Sequence, residues 1–236
     1  MDALQHRLAR IDWQAAASSL DARGFAGLGQ LLSARECATL VRLYARDAPF
    51  RSSVDMASHR FGVGSYRYFA SPLPPLVESL RMRLYPPLAR IANRWQQQLG
   101  GDERFPEQLA DFLSRCAGEG QQRRTPLLLR YEAGGYNCLH QDLYGSVAFP
   151  LQVVIGLHRP EVDYQGGEFL LVEQRPRAQS RGQAVTLARG TALVFPNSVR
   201  PVRGANGFQR VKTRHGVSEV RDGLRMTLGI IFHDAA

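Results

Sequence analysis

The triplet His140-Gln141-Asp142 places an imidazole and a carboxylate two residues apart. On a β-strand successive side chains alternate between faces, so residues 140 and 142 project the same way and can share one metal ion. A second histidine, distant in sequence, would complete a two-histidine, one-carboxylate set. Such a set covers one face of an octahedral ion and leaves three positions open, which suits Fe(II) oxygenase chemistry. Two open positions accept a chelating 2-oxo acid and the third accepts O2. Taken alone the triplet is a weak signal, because short motifs arise by chance and a polar strand end reads the same way. The pattern of a cupin-type metalloenzyme, HxH followed by a glutamate, is absent.

Four histidines compete for the third position: His59, His158, His215 and His233. His158 ends the apolar run VVIGL and is read as facing solvent. His233 lies close to the C-terminus, where ordering is least assured. His215 opens a strand, and Arg225 follows ten residues later. Asp222-Gly223 between them reads as a hairpin turn. A two-residue loop would point Arg225 away from His215. A three-residue loop, Arg221–Gly223, pairs Val220 with Leu224 and turns His215, Val217 and Glu219 to the face of Arg225 and Thr227. A shared site therefore requires the longer turn or an equivalent bulge.

The elements that must position these residues change character near Gln121. Before it the pattern is mainly helical. Ser33-Ala34-Arg35-Glu36 is a capping box, followed by apolar residues at helical spacing. A second helix is read from about Leu76 to Leu99, with a break or kink at Pro86-Pro87, and a third from Pro106 to Cys116. The stretch His59–Phe69, aromatic and broken by glycine, suits a strand or a loop. After Gln121, short β-type runs cover 126–131, 148–157, 168–172, 183–187, 192–195, 216–220 and 224–232, separated by glycine- and proline-containing turns. Many short strands in succession indicate a β-sandwich or barrel.

The chain has 236 residues, 44% hydrophobic and 22% charged, ordinary values for a globular protein. Its formal net charge is +9, carried by arginine apart from the single Lys212. No acidic residue occurs between Glu173 and Glu219, whereas Arg175, Arg177, Arg181, Arg189, Arg200, Arg203, Arg210, Lys212 and Arg214 do. An anionic partner such as nucleic acid would be steered to this stretch if it borders a pocket mouth; a solvated basic loop is the competing reading. The cysteines Cys37, Cys116 and Cys138 form no CxxC and an odd set, against a disulfide framework or zinc site. The N-terminal segment is interrupted by charges and no run has the length of a membrane helix, so the expectation is a cytoplasmic protein without membrane contact.

The residues Arg130-Tyr131 through Gly134-Gly135-Tyr136 to His140-x-Asp142 resemble the RYxxG…Y…HxD signature of Fe(II)/2-oxoglutarate oxygenases of the prolyl-hydroxylase type. Gly166-Gly167-Glu168-Phe169 looks like the GGE hairpin of that superfamily, and 189–196 (RGTALVFP) like its KGxALxF strand. His215-Gly216-Val217 and Arg225 match its distal histidine and the basic residue ten positions later. The ordered match covers about residues 126–233. The segments GSYRYF (64–69) and 73–95 extend it to a bacterial family of these oxygenases generally labelled as acting on damaged, alkylated DNA.

This resemblance implies an α+β fold: a double-stranded β-helix, or jelly roll, over residues 121–236, with the helical region 1–120 buttressing one sheet. It implies that His140, Asp142 and His215 are iron ligands and that Arg225 grips the distal carboxylate of 2-oxoglutarate, with Tyr131 helping and Thr227 beside it. Many prolyl hydroxylases have lysine where this chain has Arg225; the charge is kept and the donor geometry changes. The activity implied couples oxidative decarboxylation of 2-oxoglutarate by O2 to substrate hydroxylation, and to demethylation where an N-methyl group is attacked. Alkylated nucleic acid and a prolyl-type protein side chain are the competing substrates. A jelly-roll binding module without catalysis is the reading of another class, and the intact ligand set opposes it.

Overall fold

A computed structural model describes residues 3–175 and 177–236. Two antiparallel sheets face each other. The larger runs in the order β1 (Ala26–Gln30), β11 (Thr191–Pro196), β7 (Leu151–Gly156), β14 (Val220–Ile230), β5 (Leu127–Glu132), β4 (Ser65–Phe69) and β2 (Phe50–Asp55), with β8 (Tyr164–Gly166) also paired to β14. The smaller runs β10 (Arg181–Val185), β9 (Phe169–Gln174), β13 (Gly207–Val217), β6 (Tyr136–His140) and β3 (Gly62–Val63), with β12 (Val199–Gly204) paired to β13. This is the jelly-roll core inferred from the sequence, but it recruits more of the chain. β1, β2, β3 and β4 come from the half read as mainly helical, and β1, β4 and β3 pair directly with β11, β5 and β6.

The helices α1 (Ala3–Ala9), α2 (Trp13–Arg23), α3 (Ala34–Leu43), α4 (Pro75–Gln98) and α5 (Leu109–Gly118), with one 3-10 turn at Ala57–His59, complete the described elements. α3 begins at the capping box: the Ser33 hydroxyl accepts from the Glu36 amide and the Glu36 carboxylate accepts from the Ser33 amide. Of the break or kink expected at Pro86 and Pro87, the break does not occur: α4 runs continuously through both. The carbonyls those prolines leave without a helical donor belong to Met82 and Arg83, residues on the exposed side of the helix, which is open to solvent. The buried side of α4, including Leu80, Leu84, Tyr85, Leu88 and Trp95, packs on the larger sheet. No helix among the described residues is long and apolar enough to cross a membrane.

Strand alternation divides the interior. On β7, Val153 and Ile155 face the helices, while Gln152 and Val154 face the other sheet. On β14, Met226, Leu228 and Ile230 face the helices, while Arg225 and Thr227 face the other sheet. The core is thus a thick helix–sheet layer and a thinner sheet–sheet layer, and the second contains a cavity.

Candidate metal centre and co-substrate pocket

His140 closes β6, and His215 lies directly opposite it on β13 as its cross-strand partner. Their rings are 4.2 Å apart. Asp142 lies just beyond the strand. Its Oδ2 is 3.1 Å from His215 Nε2 and its Oδ1 3.5 Å from His140 Nε2. One donor atom from each of the three residues lies within 4.8 Å of the others. Sequence reading brought these three together; His158, His233 and His59 are elsewhere. His158 Nδ1 bonds the Leu224 carbonyl at 2.6 Å, and exposed His59 stacks on Phe61. His233, expected to be poorly ordered, is buried, and its Nδ1 accepts from the Phe149 amide.

Each member of the cluster is held by a second partner. The His140 Nδ1–H donates to the Cys138 carbonyl at 2.7 Å, which leaves the Nε2 lone pair free for a metal. The His215 ring is packed between Phe169 and Phe195. The Asp142 amide donates to Asn197 Oδ1 at 2.9 Å, and Asn197 Nδ2 returns a bond to the Asp142 carbonyl. The Tyr144 hydroxyl donates to Asp142 Oδ1 at 2.6 Å. Gln141, between His140 and Asp142, donates to the Ser198 and Thr213 carbonyls. The residue between the two ligands is therefore an anchor for their backbone. Burial raises the cost of charging Asp142, but the His215 hydrogen bond and the two imidazoles outweigh it and hold the carboxyl below its ordinary range. Burial and the neighbouring His215 lower the pKa of His140. An anionic oxygen and neutral His140 nitrogen are what a divalent cation requires of these ligands.

The expected hairpin between His215 and Arg225 does not exist. β13 belongs to the smaller sheet and β14 to the larger, and the chain crosses between them at Ser218–Glu219. Asp222 and Gly223 lie inside β14, opposite Gln165 and Tyr164 of β8, where the register shifts. Val217 and Val220 are both buried in the sheet–sheet layer, so crossing sheets covers more apolar surface than turning back at 222–223. Arg225 and His215 still reach one cavity, because their strands present them inward from opposite sides.

That cavity, about 390 Å³, is also lined by Tyr131, Thr227, Gln152, Asn137, Tyr66 and Tyr68. Arg225 is 1% exposed, and its Nε and Nη1 have no hydrogen-bond partner. Burial holds its pKa below the ordinary value, opposed by the Tyr131 and Tyr164 hydroxyls and by Glu168. Tyr131 is its cross-strand neighbour, with the guanidinium 5.5 Å from the ring centre, and burial pushes the Tyr131 phenol up to about 12. A buried cation with unused donors is costly unless an anion completes it. The cavity therefore has a carboxylate-seeking end at Arg225 and a metal-seeking end at the His–Asp–His cluster. Thr227 lies two residues along the same inward face of β14.

Gln152 also lines the pocket, 3.4 Å from His215 Nε2. Glu168 instead accepts from the Ser218 hydroxyl at the sheet crossing. Tyr144 and Asn197 escaped sequence reading: the first follows the motif by two residues, and the second appears only as a turn residue after Pro196. No cationic residue of 175–214 lines the cavity. Arg200 is buried against Glu173 and donates to the Asp21 carbonyl, a structural role rather than a substrate-facing one. The cation at the cavity mouth is Arg60, beside exposed Phe61 and Leu139.

Residues 64–235 match the Oxygenase-NA family model, described as an oxygenase catalysing oxidative methylation of damaged DNA. Two uncharacterised proteins of Mycobacterium tuberculosis, MT2286 and Rv2227 from different strains, are each 44% identical over 227 residues, covering 96% of this chain and 92% of theirs. Among solved structures, a 2OG-Fe(II) oxygenase family oxidoreductase from Burkholderia pseudomallei is similar with TM-score 0.55 at 20% identity, covering 96% of this chain and 94% of that one. A Trichoplax adhaerens prolyl hydroxylase in complex with a hypoxia inducible factor peptide is similar with TM-score 0.56 at 16% identity, covering 98% and 92%. The chain belongs to the Oxygenase-NA family and is an oxygenase with the fold of the 2-oxoglutarate- and Fe(II)-dependent enzymes.

Proposed function

We propose that this protein couples the oxidative decarboxylation of 2-oxoglutarate to hydroxylation of an alkylated base in nucleic acid, with His140, Asp142 and His215 as the Fe(II) ligands. The observation that carries the reading is the pairing, in one cavity, of a three-residue cluster able to hold a metal with a buried guanidinium whose Nε and Nη1 find no partner among the described residues. Bound Fe(II), with 2-oxoglutarate and O2, supplies the oxidant for a C–H bond and yields succinate and CO2; on an N-methyl group the hydroxylated product releases formaldehyde.

The residues of the chain do the positioning. Asp142, ionised and braced by Tyr144 and Asn197, offers a fixed oxygen. His140 presents Nε2 because Nδ1–H is committed to Cys138. Arg225 receives the distal carboxylate of 2-oxoglutarate through two unpaired N–H groups, and the Tyr131 hydroxyl lies alongside. The lining of Leu127, Leu129, Val154, Phe169 and Phe195 excludes water, which protects a reactive intermediate from quenching.

A flat, polar substrate fits the mouth. Phe61 is exposed there, stacked with His59, and Arg60 adjoins it. An aromatic ring beside a cation suits a base and its phosphate. A protein substrate is the second reading, favoured by one feature: β3 is an edge strand of the smaller sheet at the same mouth, so an extended peptide could pair with it. Incubation with Fe(II), ascorbate and 2-oxoglutarate, with succinate and formaldehyde measured, tests both. N-methylated oligonucleotides should release both products. Turnover on peptides alone would move the assignment to the second reading, and no succinate with either pool, together with no binding of 2-oxoglutarate, would remove the oxygenase assignment.

A further inference from the structure

β13 has two unlike faces. Val211, Thr213 and His215 are buried on its inner side, whereas the alternate residues Arg210, Lys212 and Arg214 are exposed on its outer side. The pairing of β12 sets exposed Arg203 opposite Phe208, which is 41% exposed on that same outer side. Alternate residues on a strand are about 6.8 Å apart, so each cation of β13 lies within one screening length of the next. Among the described residues no acidic side chain stands opposite them. Arg210 faces Pro201, Lys212 faces Gln174 and Arg214 faces Val172 across the neighbouring strands. Among the described residues, none of the four cationic side chains makes a hydrogen bond or ion pair.

A file of mutually repelling, uncompensated charges costs stability in the free protein and is relieved by a linear polyanion. We propose that this outer face of the smaller sheet binds a single-stranded nucleic-acid segment, with Arg203, Arg210, Lys212 and Arg214 following the phosphates and Phe208 stacking on a base. The narrow row and single exposed ring favour a strand over an anionic lipid surface, which needs a broad apolar face. Stacking on Phe208 needs an unpaired base, which favours a single strand over a duplex. Because His215 and this row project from opposite faces of β13, the row anchors nucleotides outside the cavity and takes no part in the reaction. The inference rests on the nucleic-acid reading above but not on the chemistry.

The test is the salt dependence of binding of an unmethylated, fluorescein-labelled oligodeoxynucleotide, followed by anisotropy. The triple variant Arg210→Gln/Lys212→Gln/Arg214→Gln should reduce the slope of log K against log salt by about 2, from roughly 0.7 per phosphate contact removed. Phe208→Ala should weaken binding about tenfold and leave the slope unchanged, because stacking releases no counterions. Binding of 2-oxoglutarate should be unaltered in both variants. An unchanged slope in the triple variant overturns the proposal, as does a loss of binding to vesicles containing anionic phospholipid without loss to the oligonucleotide. Failure of methylated oligonucleotides to turn over, with the slope change present, would instead count against the substrate assignment.

Discussion

At the scale of single residues the site is made by deficits as much as by contacts. Buried Arg225 has two donors, Nε and Nη1, with no partner among the described residues, and the donor atoms of His140, Asp142 and His215 converge within 4.8 Å of one another. Arg225→Ala should raise the Kd for 2-oxoglutarate about 100-fold, from the loss of paired charge-assisted bonds, and leave metal affinity unchanged; calorimetry with each component separately reads both. Equal loss of the two affinities would remove Arg225 from its assigned role. Tyr144→Phe deletes the hydroxyl that steadies Asp142 Oδ1. It should weaken metal binding about 10–100-fold, as loss of outer partners usually does, while 2-oxoglutarate affinity in metal-saturated protein changes little. Titration with Fe(II) under anaerobic conditions, or with Mn(II), measures it. These roles were partly legible in sequence: residue type and the two-residue spacing exposed His140 and Asp142, but nothing local distinguished Tyr144 from any other polar neighbour.

Secondary structure decides which of these residues face inward. The alternation of β14 sends Arg225 and Thr227 to the cavity and Met226 and Leu228 to the helices, a pattern readable from the sequence. The close approach of the β8–β9 corner was not readable. Gly167, at φ 61°, passes so near Arg225 that a Cβ there would lie 2.7 Å from Arg225 Cδ. Gly167→Ala should therefore displace the guanidinium and weaken 2-oxoglutarate binding roughly tenfold, while the metal site on β6 and β13 keeps its affinity; an unaltered Kd for 2-oxoglutarate would show that the corner yields instead. Gly166-Gly167 read as turn residues on conformational grounds, and the structure adds the packing reason. Pro86-Pro87 had the opposite outcome: a local rule against helix was overridden because the freed carbonyls face water and the other side of α4 is buried.

At the scale of the whole molecule, the C-terminal segment ties the helices to the sheets. Buried Arg81 of α4 donates to the carbonyls of Ile231 and Phe232 and to the Asp234 carboxylate, which also accepts from Arg124. His233 lies within this clamp, and burial lowers its pKa from 6.5 to about 4. The folded protein thus binds this proton later than the unfolded chain. Stability is complete above pH 6.5, falls as the pH drops from 6.5 to 4, and the penalty is constant below that. The full penalty is about 3 kcal/mol at 1.36 kcal/mol per pH unit. Denaturant unfolding across this range should show the fall in the natural protein, and His233→Asn, which keeps an acceptor for the Phe149 amide, should flatten it. A parallel decline in the variant would assign the acid sensitivity elsewhere.

The sequence by itself determined the alternation of inward and outward faces and the order of His140, Asp142, His215 and Arg225, an order that resembles an iron- and 2-oxoglutarate-binding set. Tertiary structure decided how they meet. Local turn chemistry at Asp222-Gly223 favoured a hairpin, but burying Val217 and Val220 carried the chain from one sheet to the other. The site consequently closes between two sheets rather than along one. The same long-range packing turned the cations of β13 away from the cavity. Side-chain period is a local property and survives folding, whereas the partner a strand finds depends on apolar surface contributed from distant parts of the chain.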